Sequence, residues 1–220
     1  MIRLFIISVL LITLVTSCKK SDENDPTIIK DGDGNTYTSV TIGTQVWLVE
    51  NLKTTKLNDG TPIPLVTDQT AWNNLKTIGY CWYDNNETEY KSDYGALYNW
   101  YVANNDKICP KGWHVPTDAE WTSLLTFLGN AEAGAKLKEM GTTHWDDPNP
   151  ANNQSGFKAF GGGYRGQDFF GDIRISGYWW SSTELSSSHA NSLWLVYSVT
   201  SSGWADNYKY SGLSVRCIKD

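Results

Sequence analysis

The chain has 220 residues, with 18 Lys and Arg against 24 Asp and Glu for a formal net charge of −6, and it carries 11 Trp, 12 Tyr and 19 Gly. The acidic balance, with no Lys/Arg cluster, argues against a nucleic-acid partner. The length beyond residue 30 suits one domain with its own core, and so many rings and glycines point to short strands and long loops.

Residues 1–17 contain Arg3 and then an apolar run from Leu4 to Val15, interrupted only by Ser8 and Thr13. A bilayer-spanning helix needs about 18 or more apolar residues, so the run reads as the core of a signal peptide. It ends at Val15-Thr16-Ser17-Cys18, which resembles the lipobox of bacterial lipoproteins, where small residues precede a Cys that is acylated and becomes the new N-terminus. The alternative is an ordinary secretory peptide that happens to contain a Cys. Residues 18–30 are polar and aperiodic at their start, a tether. The run Ser21-Asp22-Glu23-Asn24-Asp25 resembles the surface-export signal of lipoproteins in the Bacteroidetes. The expected address is therefore the outer membrane, cell-surface exposed, with the membrane a partner through lipidated Cys18.

The folded domain is expected over residues 31–220. Asp31-Gly32-Asp33-Gly34-Asn35 opens like a calcium loop, but the EF-hand pattern wants Gly at its sixth position and Glu at its twelfth, where Thr36 and Ile42 stand. A tight turn is expected instead. Tyr37, Val40, Ile42 and then Val46, Trp47, Leu48 flank Gly43-Thr44 as a hairpin. Asp68 caps a short helix carrying Ala71, Trp72 and Leu75. Tyr80 to Tyr83 reads as a buried strand, followed by a polar loop through Asn85, Asn86 and Glu87. Ala96, Leu97, Trp100 and Tyr101 stand at helical spacing.

The best helix start follows Cys109-Pro110-Lys111-Gly112-Trp113-His114-Val115-Pro116. Thr117 and Glu120 form a capping box with Pro116 and Trp121 at the staple positions. The helix begins at Asp118, buries Trp121, Leu124, Leu125 and Leu128 on one face, and stops at Gly129. Ala131 to Met140 should form another helix. Thr142 to Gly171 is then almost aperiodic over about thirty residues, longer than the ~12–15 that compact domains usually carry, which points to function or mobility. Strands return at Tyr178–Thr183, Leu193–Val199, Trp204–Tyr210 and Leu213–Ile218.

Taken in order, Asp33-Gly34-Asn35-x-Tyr37, Gln45-x-Trp47, Glu50-Asn51-Leu52, Tyr94-Gly95-x-Leu97-Tyr98-x-Trp100, Cys109-Pro110-x-Gly112-Trp113-His114-Val115-Pro116, Ser155-Gly156-Phe157, Trp180-Ser181-Ser182-Thr183 and Val215-Arg216-Cys217 resemble the Fibrobacter succinogenes major paralogous domain of secreted bacterial lipoproteins. More distantly, Trp113 to Trp121 with the late Val-Arg-Cys is similar to the fold of formylglycine-generating enzymes. The resemblance implies an α+β, C-type-lectin-like domain with two or three helices, short antiparallel sheets and long loops.

Setting Cys18 aside leaves Cys81, Cys109 and Cys217, an odd number for an exported protein. Lectin-like domains join their first and last cysteines, so the resemblance implies a Cys109–Cys217 bridge with Cys81 free; a Cys81–Cys109 bridge is the alternative. Formylglycine-generating enzymes hold copper between two late cysteines, and here Cys217 stands alone in that region, so the pair does not carry over. His114, His144 and His189 lack ligand spacing; His114 reads as a residue that orders a turn. Ser181 and Ser182 lack a nucleophile elbow. No catalytic residue, metal or cofactor is expected. The candidate ligand loop offers acceptors at Asp146, Asp147, Asn149, Asn152 and Asn153. Within it Asp147-Pro148-Asn149 is loosely similar to the Glu-Pro-Asn of sugar-binding lectins, as Trp204-Ala205-Asp206-Asn207 is to their Trp-Asn-Asp. The expected function is a non-catalytic binding or adhesion module for glycans or extracellular proteins. The alternatives are a structural subunit of a surface assembly and a formylglycine-generating-like enzyme.

Overall fold

The computed structural model describes residues 28–220. The expected signal peptide, the lipidation site Cys18 and the tether up to residue 27 lie outside the described residues. The architecture is mixed α+β, with small antiparallel sheets, a five-stranded sheet curled into half a barrel, and a few short helices. No helix among the described residues is long and apolar enough to cross a membrane.

Strand β1 (Ile29–Lys30) pairs with β2 (Thr36–Tyr37), and Ile29 stands opposite the buried Tyr37. The folded part thus begins before residue 31, because Ile28 and Ile29 end the polar run of the tether. Between them, Asp31 Oδ1 accepts the amides of Asp33 and Asn35 at 3.0 and 2.9 Å, so this carboxylate shapes a turn. The hairpin β3 (Ser39–Ile42) and β4 (Gln45–Leu48) turns at Gly43-Thr44 as expected. Asp68 caps helix α1 (Gln69–Asn74) through the Ala71 amide at 2.7 Å.

The buried stretch Tyr80 to Tyr83 is shorter as a strand than expected. Strand β5 (Tyr80–Cys81) gives way to a 3₁₀ turn and the four-residue helix α2 (Glu87–Tyr90). Ala96 and Leu97 do not join a helix with Trp100. Gly95 takes φ +74° with Leu52 O only 2.5 Å from where its Cβ would stand, and Leu97 then pairs with Cys81 in strand β6 (Leu97–Tyr98). Helix α3 (Trp100–Ala103) starts afterwards, capped by Asn99. Tertiary pairing overrides the helical spacing here.

Strand β7 (Trp113–His114) leads to α4 (Asp118–Leu128), the longest helix, where both halves of the capping box form and Trp121, Leu124, Leu125 and Leu128 are buried. Gly129, at φ +82°, ends it. Helix α5 (Ala133–Leu137) is half the length expected, because the chain peels off to form a bridge between Lys138 and Ala159. Strands β8 (Gly162–Arg165), β9 (Phe170–Ile173), β10 (Ser176–Glu184), β11 (His189–Val196) and the edge strand β12 (Ser202–Tyr208) form the five-stranded sheet in the order β12-β11-β10-β8-β9. Only Ile218 and Lys219 of the final segment form a strand, β13 (Ile218–Lys219), which closes the sheet β3-β4-β13-β7. Residues 213–217 instead make single bridges, Leu213 to Tyr98 and Ser214 to Trp179.

Strand β10 divides two cores, because successive side chains of a strand point to opposite faces. Trp179 joins Trp47, Trp121, Trp145 and Phe157 beneath α4. Trp180 joins Trp82, Tyr98 and Trp100 on the other side, with the disulfide between Cys109 and Cys217. That bridge closes a span of 108 residues, which the chain-entropy model values at roughly 4–5 kcal/mol. Cys81 is free and buried, and burial pushes its thiol up to about 12.

Candidate functional site

The motif residues converge on Arg216, which is almost wholly buried. Its guanidinium donates to Leu48 O (3.0 Å), Val49 O and Phe157 O (2.7 Å), and to Asn51 Oδ1 from Nη2 at 2.8 Å, while lying 4.3 Å over the Phe157 ring. Asn51 Oδ1 also accepts Trp179 Nε1 at 2.8 Å, and its amide donates to Tyr94 O at 2.9 Å. Trp180 Nε1 reaches Tyr98 O and Trp100 Nε1 reaches Ser181 O. Four motifs distant in sequence are thus stitched by one cation and one amide. Burial pulls Arg216 down to about 9, which leaves it charged at neutral pH. Every inward donor of this hub is spent on the chain's own carbonyls, so it is scaffold. Lys138 and Arg165 repeat the device: each is fully buried and held by backbone carbonyls.

His114 behaves as a turn-ordering residue. Its Nδ1 lies 2.7 Å from Asp220 Oδ1 and its Nε2 2.8 Å from Glu120 Oε1, tying β7 and the cap of α4 to the end of the chain. Burial works against its charge, but the two carboxylates outweigh it and raise the pKa.

The segment 142–171 is not a plain solvated loop. Trp145, Phe157 and Ala159 are fully buried within it, and β8 and the start of β9 belong to the sheet. Its expected ligand residues do not converge. Asp146 pairs with Arg174 at 3.1 Å, and Asp147 is exposed on its own. Asn149 donates to Glu139 O and Gly141 O at 2.8 Å each, Asn152 Oδ1 accepts the Gln154 amide, and Asn153 Oδ1 accepts the Lys158 amide. Those three side chains hold the loop's own backbone. Among the described residues no three His, Cys, Asp or Glu side chains gather as a metal site. The segment does wall a cleft of about 460 Å³, through His144, Lys158 and Phe160, opposite Glu50 and Asp93. There His144 stacks on Phe160 at 3.9 Å, with Nδ1 2.5 Å from Glu139 Oε2.

A second surface crosses the five-stranded sheet. Register places Trp194 opposite both Tyr178 and Gly203, and Tyr164 opposite Gly171. Gly177 pairs with Gly163, so Tyr178 and Tyr164, the next residues, also share a face. One lateral row therefore runs Gly203, Trp194, Tyr178, Tyr164, Gly171 across β12, β11, β10, β8 and β9, and the ring of Phe169 folds over its last member. Ring centroids are 6.5 Å apart for Trp194–Tyr178, which are near parallel at 17°, then 5.6 Å for Tyr178–Tyr164 and 6.1 Å for Tyr164–Phe169. The end glycines make room: a Cβ on Gly203 would stand 3.0 Å from the Trp194 ring, and one on Gly171 3.1 Å from both Phe169 and Tyr164. Trp194 is 37% exposed and Phe169 59%, while Tyr164 and Tyr178 are half-buried and pack against the core that holds Trp180. Tyr178 Oη donates to Asp172 Oδ2 at 3.2 Å. Burial, and Asp172 beside it, push the Tyr178 phenol up to about 12.

Of the strands carrying this row, β10, β11 and β12 were legible in the sequence, while β8 and β9 fell within or beside the stretch read as an aperiodic loop, and the row itself was not legible. Trp194, Tyr178 and Tyr164 come from separate segments, and only inter-strand register aligns them. The one available signal was the Tyr178-Trp179-Trp180 run, where alternation requires the first two rings to part company. No curated protein and no solved structure matches the chain. Residues 40–219 match the family model described as the Fibrobacter succinogenes major domain, and with its motifs gathered around Arg216 the chain belongs to that family.

Proposed function

We propose that this protein is a non-catalytic saccharide-binding module, anchored in the outer membrane through acylated Cys18 and displayed at the cell surface. The observation that carries the binding reading is the aromatic row on the five-stranded sheet. Partly exposed rings in a line, interleaved with phenol hydroxyls, complement sugars, which present C–H faces and O–H edges together. A contiguous row of exposed rings also marks an interaction site in general. The lipobox-like Val15-Thr16-Ser17-Cys18 and the acidic tether support the address. A C-type-lectin-like arrangement is part of the same reading, supported by the bridge from the stretch before α4 to the segment preceding β13.

Two measurements test it. Full-length chain should fractionate with membranes after high-salt washing and the Cys18→Ser variant should not; retention of the variant would remove the lipid anchor. The soluble Cys18→Ser protein should bind a subset of a glycan array, and binding should fall in Trp194→Ala and Tyr178→Ala. An empty array, with a single high-mass assembly in light scattering, would favour a structural subunit instead.

A further inference from the structure

We infer that the row Trp194–Tyr178–Tyr164–Phe169 takes a neutral, extended oligosaccharide lying across the strands, several sugar units at a time, and rejects anionic glycans. The inference rests on reading this sheet as a saccharide-binding surface and deepens it.

Extension follows from geometry. Trp194, Tyr178 and Tyr164 occupy three adjacent strands and Phe169 the turn that follows β8, so the spacing of 5.6 to 6.5 Å follows from neighbouring strands with the rings inclined to one another. That step is comparable to the advance per unit of an extended pyranose chain, whereas one monosaccharide covers a single ring. The glycines beneath its two ends let the rings lie down on the sheet: Trp194 rests over Gly203, and Phe169 and Tyr164 over Gly171. Trp194 and Tyr178 lie near parallel and Tyr164 stands at 81° to Tyr178, so the row joins ring surfaces of two orientations along one line.

Neutrality follows from charge. The charged group touching the row is a carboxylate, Asp172, bonded to Tyr178 Oη, and the whole chain carries −6. The buried cations Arg165, Arg216 and Lys138 are turned inward onto backbone carbonyls. A uronate or sulfate ligand would meet a like charge at the centre of the row, whereas Asp172 can accept from a sugar hydroxyl.

The test is calorimetric titration of the Cys18→Ser full chain. Its probes are glucose, cellotriose and cellohexaose, the mannose series of the same lengths, and hexagalacturonate. At least one neutral series should gain about tenfold or more in affinity from one unit to three and level off by six, with hexagalacturonate weaker throughout. Removing one ring, in Trp194→Ala or the exposed Phe169→Ser, should weaken the hexamer about three- to tenfold. Gly203→Val, which crowds Trp194 while keeping every ring, should do the same, and melting curves should show each variant folded. Phe127→Ser, a ring exposed at the end of α4, should change nothing. Equal affinity for one unit and six would overturn the extended ligand while leaving a binding module. Hexagalacturonate binding as tightly as the neutral chains would overturn neutrality. No binding of any probe, with the rings in place, would overturn this inference; failure on a broad glycan array as well would sink the saccharide reading beneath it.

Discussion

Tyr178 and Trp179 are neighbours on β10, yet they belong to different regimes. Trp179 points inward and donates to Asn51 within the Arg216 hub, whose donors are held by the chain's own oxygens. Tyr178 takes the other face, half-buried between Trp194 and Tyr164 and packed against the core that holds Trp180. The motif residues crowd the hub; none of the rings in the row is among them. What identifies the family is thus the machinery that holds an irregular, loop-rich fold together. The aromatic row draws its rings from residues outside those motifs, so the scaffold and this surface are set by different parts of the sequence.

The sharpest way to break this comparison is to attack the hub. Arg216→Met leaves Asn51, Leu48, Val49 and Phe157 oxygens without their donor in the core, and should cost about 3–5 kcal/mol in urea unfolding. Arg216→Lys should recover little, because one ammonium cannot span carbonyls on three segments. A loss under about 1 kcal/mol would show that the hub is not what holds the motifs together.

Replacing Cys109 and Cys217 with Ser should lower stability by about 2–4 kcal/mol, since the bridge restrains the unfolded chain over most of the domain. Non-reduced peptide mapping of the parent should recover Cys109 joined to Cys217. Cys81 should resist iodoacetamide at pH 8 until denaturant is added, because the buried thiol titrates near 12. Ready alkylation of the native protein would contradict its burial.

His114 offers a smaller, signed effect. Its folded pKa is raised above the ordinary value near 6.5, so its pairing with Glu120 and Asp220 stabilises fully below that value and is lost as pH rises through the folded pKa. Parent stability relative to His114→Gln should therefore shrink between about pH 6 and 8. A constant difference across that window would mean the histidine acts by packing alone.

The smallest change in stability is expected in the row. Phe169→Ser should shift unfolding by about 0.5 kcal/mol or less, and should be felt only in ligand titration. If it unfolds the protein instead, the row is a core margin and the contrast with the hub dissolves.

Local chemistry within a few residues was readable from the sequence alone. Thr117 and Glu120 cap α4, Asp68 caps α1, Gly43-Thr44 turns a hairpin, and four apolar residues at helical spacing face a core. The same local reading failed wherever a distant partner outbid it. Leu97 left its helical spacing for Cys81, α5 was cut short at Lys138, and residues 142–171 proved to carry Trp145 and Phe157 into a core. The acceptors at Asn149, Asn152 and Asn153 looked free because their partners, loop backbone amides and carbonyls, have no sequence signature. Only the tertiary structure set the lateral register of β12, β11, β10, β8 and β9. Strand periodicity tells which residues share a face of one strand, but the alignment of Trp194, Tyr178 and Tyr164 depends on how far each strand slides against the next, and that is fixed by packing on both cores.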